Sequence, residues 1–282
     1  MTGAAAGLAA AFNTPLGGIV FAIEELTKTH ISYFRTALFT AVIIAGLTAQ
    51  ALFGPYLYLG YPLIKGLSVY IFLGVILVAT LAGLCGSLTG RILLVLTNFR
   101  ARLRKKSQMV IFVLTLGLLV ATFGFFGHTE LIGSGKGIMT RILFSSDKYL
   151  PWYAPIVRIT GSIFSFGTGA AGGIFAPALS SGACIGSVLS KWMQLNDSNT
   201  NLLILSGMVG FLTGITRTPF TSSIIVLEMT DRHNLIFYLM LAGMFAGMVS
   251  MLIDRHSLYD RLKIRYLREI EKEDQQPLTV DH

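Results

Sequence analysis

The sequence predicts an all-α, polytopic transmembrane protein with broken helices. Of its 282 residues, 53% are hydrophobic and only 13% are charged, whereas soluble proteins carry roughly 25% charged residues. This composition excludes a disordered chain, and two cysteines inside apolar runs, Cys85 and Cys184, exclude a disulfide scaffold. Six charge-free segments are long enough for a membrane-crossing helix, which takes about 20 residues. They are 36–64, 66–90, 107–127, 159–190, 198–216 and 234–253.

The basic residues are concentrated in one short loop between two apolar spans. The net charge is +8, and this loop contains Arg100, Arg102, Arg104, Lys105 and Lys106. Loops rich in Lys and Arg stay on the cytoplasmic side of a membrane, so this loop is expected in the cytoplasm. The basic charge therefore does not indicate nucleic acid as a partner.

These patterns divide the chain into a transmembrane domain, 1–254, and a short cytoplasmic tail, 255–282, whose mixed charges are typical of a solvated helix. We expect an integral, multi-pass protein of the lipid bilayer, in a bacterial inner membrane. No basic region precedes the first apolar stretch, so no signal peptide is expected. The sequence enters an apolar segment at Thr2, as a chain that begins in mid-protein would.

The first part of the sequence is predicted to form two short helices followed by three longer ones. The predicted elements are helices at 4–12, 15–26, 31–54, 67–96 and 109–126, and a loop with interfacial tyrosines at 55–65. The break between the short helices falls at Thr14-Pro15, because proline is favourable in the first helical turn. The helix at 67–96 is long enough to be tilted in the membrane.

The second part is predicted to contain two broken helical segments. In order, the elements are a polar re-entrant or surface stretch (128–151), a short helix (156–166), a glycine-rich break (167–177), a helix to about Met193, and helices at 201–215, 219–228 and 235–252. Unpaired backbone in lipid is costly, so breaks are tolerated only where protein or water surrounds them. Such breaks indicate an ion or substrate site.

An internal repeat relates the two ends of the membrane domain. NTPLGGIVFAIEEL (13–26) and RTPFTSSIIVLEMT (217–230) align without a gap. The Thr-Pro pairs coincide, and Glu24 coincides with Glu228, nine residues after each proline. Weak repeats of this kind are characteristic of transporters, and they predict an inverted-repeat relation in the fold.

The most informative motif is GGIFAP, which contains Gly172, Gly173 and Pro177. Glycine lets the backbone approach a ligand closely, and a helix that begins near Ala176 would direct its free N–H groups and its positive dipole end at that point. With no basic side chain nearby in sequence, main-chain N–H groups alone could hold an anion there. A packing kink between helices explains the motif equally well.

Three segments together resemble the CLC family of chloride channels and proton-coupled chloride transporters. They are 3–26, 167–179, which contains the family's GxFxP signature, and 214–231. The resemblance implies that the main-chain N–H groups of Ile174 and Phe175 coordinate a dehydrated chloride ion. It also implies that the hydroxyl of Tyr259 contacts this ion near its inner side. The alternative for Tyr259 is an interfacial aromatic anchor.

Glu25 matches the cytoplasmic-side glutamate that passes protons inward in the exchangers of this family, whereas passive channels generally lack a carboxylate there. An ionised carboxylate at bilayer depth costs about 2.5–3.5 kcal/mol, so such residues tend to be paired or functional. The other reading is that Glu24 and Glu25 end a helix near the cytoplasm, beside Lys28. Ion pairs or interface anchors are expected for Glu228, Asp231, Arg217 and Arg158.

Two family motifs are absent from the sequence. These are the G-S-G-I-P anion loop, which 132–136 resembles only superficially, and G-[KR]-E-G-P, whose glutamate gates the outer side of the pore. The resemblance therefore covers the second part of the family's membrane domain, from Thr2 to about Tyr259. The chain is interpreted as a truncated or fragmentary member that holds about half of the ion site.

The predicted function is chloride transport with counter-movement of protons. The resemblance implies a homodimer whose interface lies near 15–26, 31–53, 218–231 and 235–252, with chloride and protons as substrates and no cofactor. The alternatives are a passive chloride channel and a fragment that transports only with a partner. An intramembrane enzyme is disfavoured, because the histidines lie at span edges or chain ends and no His-Glu-x-x-His sequence indicates a metal.

Overall fold

The computed structural model describes residues 2–26, 35–54, 56–103, 105–126 and 132–274, and this part of the chain is helical without a strand. The all-α prediction is confirmed. The helices are α1 (Thr2–Phe12), α2 (Pro15–Phe21), α3 (Arg35–Phe53), α4 (Ile71–Arg102), α5 (Lys106–Phe126), α6 (Lys136–Phe144), α7 (Ala154–Gly167), α8 (Phe175–Trp192), α9 (Asp197–Thr216), α10 (Pro219–Thr230), α11 (Ile236–Ile253) and α12 (Leu258–Asp274). A π-helical turn, Ala22–Leu26, extends α2, and a 3₁₀ turn, His233–Leu235, precedes α11.

Five helices of the described ranges are long and apolar enough to cross a membrane. They are Thr36–Phe53, Ile71–Arg102, Lys106–Phe125, Asp197–Thr216 and His233–Ile253. The sixth charge-free segment, 159–190, is divided between α7 and α8 at the predicted glycine-rich break. Residues 31–34 of the helix predicted at 31–54 lie outside the described residues.

The prediction for α4 and the basic loop is wrong at its boundaries. The helix begins at Ile71 and ends at Arg102, instead of running over 67–96. Its 32 residues give a length of about 48 Å, well beyond a hydrocarbon core of about 30 Å. Arg100 therefore belongs to the helix, and only residues 103–105 connect it to α5.

The stretch predicted as re-entrant or surface chain at 128–151 contains an additional helix, α6. This helix buries Ile138, Met139, Ile142 and Leu143, which share one face, while polar residues cover the other. The high polar content of the segment concealed this periodicity. Residues 128–131 of this stretch lie outside the described residues.

Helix α9 is the centre of the fold. Every residue from Asn199 to Thr216 is buried, and α4, α8, α10 and α11 pack around it. By contrast, α3 and α5 expose large apolar side chains such as Leu47 (62% exposed) and Leu118 (69%). Apolar side chains on an outer face suit contact with lipid.

Glycines allow α8 and α9 to cross with their backbones in direct contact. A Cβ atom added to Gly182 would overlap with the carbonyl oxygen of Gly207, and a Cβ on Gly207 would overlap with that of Gly182. A Cβ on Gly186 would lie 2.5 Å from the carbonyl oxygen of Leu203. This crossing fixes α8, and with it the start of α8, against the central helix.

The two repeats form an antiparallel pair. A glutamate of each repeat caps the start of the helix in the other repeat. One carboxylate oxygen of Glu228, at the end of α10, accepts the N–H of Leu16 at 3.0 Å and the other accepts that of Gly17 at 2.6 Å. Glu24, just after α2, accepts the N–H groups of Phe220 (3.2 Å) and Thr221 (2.7 Å) at the start of α10. The anionic side chains satisfy first-turn N–H groups that have no partner within their own helix. The predicted inverted-repeat relation is therefore present as a reciprocal capping contact.

Arg217 connects the ends of α9 and α11 to the middle of α4. It follows α9 in a left-handed conformation (φ 61°), and its Nε donates to the carbonyl oxygen of Asp254 at 3.1 Å. Its terminal nitrogens donate to the carbonyl oxygen of Gly214 and to the hydroxyl of Ser87, the latter at 2.8 Å. The sequence predicted an ion pair or an interface anchor for Arg217, and the structure shows a helix-end cap.

Candidate anion and proton site

The candidate anion site is the start of α8, after the glycine-rich break. Ile174 precedes the helix, and its carbonyl oxygen accepts the N–H of Ala178 at 3.0 Å. Pro177 lies in the first turn, where a missing N–H is tolerated. Among the hydrogen bonds of the described residues, none has the main-chain N–H of Ile174, Phe175 or Ala176 as its donor. These donors and the positive end of the helix dipole therefore remain available to an anion.

A cavity of about 420 Å³ opens beside this helix start. Gly172, Gly173, Ala176 and Pro177 form part of its lining. A Cβ atom added to Gly173 would have no neighbouring atom within 4 Å. Packing therefore does not require glycine at this position, and close approach of a ligand to the backbone remains a physical reason for it.

Phe175 and Tyr259 meet through a third aromatic ring, that of Phe21. The Phe21 and Phe175 centroids are 5.3 Å apart with an interplanar angle of 88°, and those of Phe21 and Tyr259 are 6.1 Å apart at 67°. Edge-to-face pairs of this kind stabilise packed cores. The fold thus brings the GGIFAP segment and the start of α12 to the same place, although Phe175 and Tyr259 are 84 positions apart in sequence. Nothing in the sequence indicated the role of Phe21.

Tyr259 has a hydroxyl that takes part in none of the hydrogen bonds found between described residues. Burial of the phenol raises its pKa, and the negative charge of Glu25 raises it further. The phenol therefore stays neutral at physiological pH and keeps an O–H group that can be donated to an anion.

Glu25 lies in the π-helical turn that follows α2 and is 8% exposed. Its Oε1 accepts the hydroxyl of Ser257 at 2.7 Å, immediately before α12. Isolated π-helical turns are frequent at functional sites, because they change the direction in which neighbouring side chains point. Here the turn separates two adjacent carboxylates: Glu24 reaches α10, and Glu25 reaches the start of α12.

Two arginines that the sequence did not place near the glycine-rich break lie close to it. The guanidinium group of Arg100 packs on Gly169 (φ 77°), where any Cβ would overlap with it. Arg158 lines the cavity, and its Nε donates to the hydroxyl of Ser180 at 2.7 Å. Both arginines are separated from GGIFAP in sequence, and this distance concealed their contacts.

No group of three or more His, Cys, Asp or Glu side chains that could hold a metal ion occurs in the described ranges. The chemistry offered by the site is instead that of main-chain donors, one phenol, one buried carboxylate and two cations. Such a set can bind an anion and hold a proton.

Most of the chain matches a known family. Residues 1–251 correspond to the family described as "Voltage gated chloride channel". The chain belongs to this family. Membership in the voltage gated chloride channel family, together with the apolar helices, identifies an integral membrane protein.

Several members of this family are similar to the chain in sequence. The H(+)/Cl(-) exchange transporter ClcA of Cronobacter sakazakii is 30% identical over 283 residues, which cover 97% of this chain and 60% of the relative. The protein of the same name from Citrobacter koseri is 29% identical, with coverages of 96% and 59%. The chain thus spans about 60% of the length of the curated relatives it matches.

Two solved structures share the fold. A slow cyanobacterial Cl⁻/H⁺ antiporter aligns with a TM-score of 0.81 and 23% identity, covering 95% of this chain and 64% of that chain. A CLC-type fluoride/proton antiporter aligns with a TM-score of 0.76 and 21% identity, with coverages of 91% and 63%. The predicted CLC-like fold is confirmed.

Proposed function

We propose that the chain forms the second part of a chloride transporter that exchanges chloride for protons. The observation that carries this proposal is the convergence of the α8 start, with its available N–H groups, and Tyr259 on one aromatic cluster. The main-chain N–H groups of Ile174 and Phe175 are the proposed chloride ligands, with the hydroxyl of Tyr259 as a further ligand. Gly172, Gly173 and Pro177 shape the anion loop. Relatives named as H(+)/Cl(-) exchange transporters support chloride and protons as the substrates.

Glu25 is the proposed proton carrier of the exchanger. Its carboxylate is buried and adjoins the same helix start as Tyr259, so a proton and an anion would be handled within one part of the fold. A passive channel needs no such carboxylate. The presence of Glu25 therefore favours exchange over a channel, which is the second candidate function.

The proposed assembly is a homodimer in a bacterial inner membrane, with residues 255–282 in the cytoplasm. An apolar groove of about 480 Å³ on α10 and α11 supports this assembly. It is lined by Phe220, Phe237, Met244 and Met248, and Phe237 is 79% exposed. The proposed partners are thus a second copy of the chain and the lipid bilayer.

The test is chloride and proton flux from liposomes. One arm contains the 282-residue chain, and the other contains a chain extended upstream by its own coding sequence. We expect chloride-driven proton movement in the extended arm. Robust chloride flux from the 282 residues alone would show that the upstream part is not needed. Flux that depends on an added partner chain would indicate a fragment that works only in assembly.

Glu25→Gln in the extended chain separates exchange from conduction. We expect it to abolish proton movement and to preserve chloride movement. Glu24→Gln is the matched control, because the neighbouring carboxylate serves the start of α10. Proton coupling that survives in Glu25→Gln would refute the exchanger assignment, and chloride flux without protons in the unmodified chain would identify a channel.

A further inference from the structure

Ser257 forms a reciprocal cap at the start of α12. Its hydroxyl accepts the main-chain N–H of Asp260 at 2.9 Å, and its own N–H donates to the Asp260 carboxylate at 3.3 Å. This is a capping box, in which two N–H groups at a helix start are satisfied by two side chains. Ser257 is 1% exposed, so its hydroxyl has little access to water.

The same hydroxyl reaches Glu25. A serine hydroxyl has one hydrogen to donate and can accept hydrogen bonds through its oxygen. Its oxygen accepts from Asp260, and its hydrogen is donated to Oε1 of Glu25 at 2.7 Å. The Asp260 N–H can only donate, so the cap occupies one acceptor position of the oxygen and leaves the hydroxyl hydrogen for the carboxylate.

The linker between α11 and α12, which carries Ser257, is also held by hydrogen bonds of Asp254. The Asp254 carboxylate accepts the N–H of His256 at 3.0 Å and two bonds from Arg261, at 3.0 and 3.1 Å. Burial raises the pKa of Asp254, but the His256 N–H and Arg261 outweigh it and lower the pKa overall. Because Arg217 also binds the carbonyl oxygen of Asp254, the turn before Ser257 has a defined position.

We propose that Ser257 is a positioning residue that holds Glu25 in its ionised form and joins this carboxylate to the helix that carries Tyr259. A hydrogen bond donated to a carboxylate stabilises the charged form. Protonated Glu25 could still accept this hydrogen bond through its carbonyl oxygen, but a neutral acceptor holds the Ser257 hydroxyl more weakly than a carboxylate does. Within the described ranges, the ionisable groups around this pair include Tyr259 and Asp260 on α12, Glu24 in the same π-helical turn, and Asp254, His256 and Arg261 around the linker. Glu24 is bound to the start of α10.

The first test measures the protonation of Glu25 directly and does not require transport. Infrared titration of the chain in lipid follows the carboxyl band that disappears in Glu25→Gln. We expect Ser257→Ala to raise the pH midpoint of this band by about one unit, because a hydrogen bond to a charged group is lost. Ser257→Thr keeps the hydroxyl and should restore the original midpoint. If Ser257→Ala does not fold, Ser257→Cys supplies the comparison, since a thiol is a weak donor.

Asp260→Asn is the matched control for helix capping. It weakens the capping box but leaves the hydroxyl bond to Glu25, so it should lower thermal stability. Loss of the Asp260 charge can only favour ionised Glu25, so it should not reproduce the rise in the midpoint. An unchanged midpoint in Ser257→Ala, or an equal shift in Asp260→Asn, would overturn the proposal. A role of Ser257 in transport rests on the proposed function of the chain. A midpoint shift in a chain that moves no protons would uphold the role of Ser257 and refute the transport assignment.

Discussion

The carboxylate of Glu25 acts on the phenol of Tyr259 through its charge: burial raises the pKa of Tyr259, and the nearby negative charge of Glu25 raises it further. The protonation states of Glu25 and Tyr259 are therefore coupled. Neutralising the Glu25 carboxylate removes the charge that raises the pKa of Tyr259 but leaves the effect of burial.

Glu25→Gln is expected to lower the pKa of Tyr259 while leaving it above the ordinary tyrosine value, because burial persists. The measurement is ultraviolet absorbance of tyrosinate as pH is raised, with the Tyr259→Phe titration subtracted to isolate this residue. Identical Tyr259 titrations with and without the Glu25 charge would show that the two groups are not coupled.

Glu228→Ala is expected to destabilise the protein by about 2 kcal/mol, because two first-turn N–H groups of α2 lose an anionic acceptor. Glu228→Gln keeps an acceptor oxygen but no charge, and should cost about half as much. The midpoint of thermal unfolding in detergent reports both effects. An Ala variant as stable as the unmodified protein would show that this cap contributes nothing.

Arg217→Ala is expected to cost about 3 kcal/mol, since carbonyl groups near the ends of α9 and α11 lose a shared cation. Arg217→Lys keeps the charge but not the planar fork of donors, so it should recover only part of the loss. Free energies of unfolding in a denaturing detergent series give the comparison. Full recovery by lysine would indicate that charge alone is important.

Gly182→Ala is expected to destabilise the α8–α9 crossing by about 3 kcal/mol, because the added methyl group overlaps with the backbone of Gly207. The matched control is Gly117→Ala in α5, where no neighbouring atom lies within 4 Å. There alanine should be neutral or slightly stabilising, since it favours the helix. Size-exclusion profiles after heating distinguish the two. Equal behaviour of both variants would contradict the close crossing.

The helical fold and the repeat were predictable because both depend on local sequence. Apolar length marks the spans, and the Thr-Pro pairs with Glu24 and Glu228 mark the repeat. The partner of each glutamate was not predictable, since it follows from the antiparallel docking of segments about 200 residues apart. Helix α6 was missed because Lys136 and Arg141 obscured its apolar face.

The candidate site was predictable only where a motif marks it. GGIFAP indicated the start of α8, and the family resemblance indicated Glu25 and Tyr259. Nothing in the sequence indicated the bond from Ser257 to Glu25, because 232 residues separate them. The Ser-Leu-Tyr-Asp sequence at 257–260 does have the spacing of a capping box, which is the one signal that could have drawn attention to Ser257.

The cap of α2 has a consequence for synthesis. Gly17 leaves the ribosome 211 residues before the glutamate that satisfies its N–H group. Until the last repeat has been inserted, the first one enters the bilayer with exposed polar backbone, which lipid does not solvate. The first repeat therefore acquires its final hydrogen bonds only after α10 has been made, so its docking into the fold is a late step of synthesis.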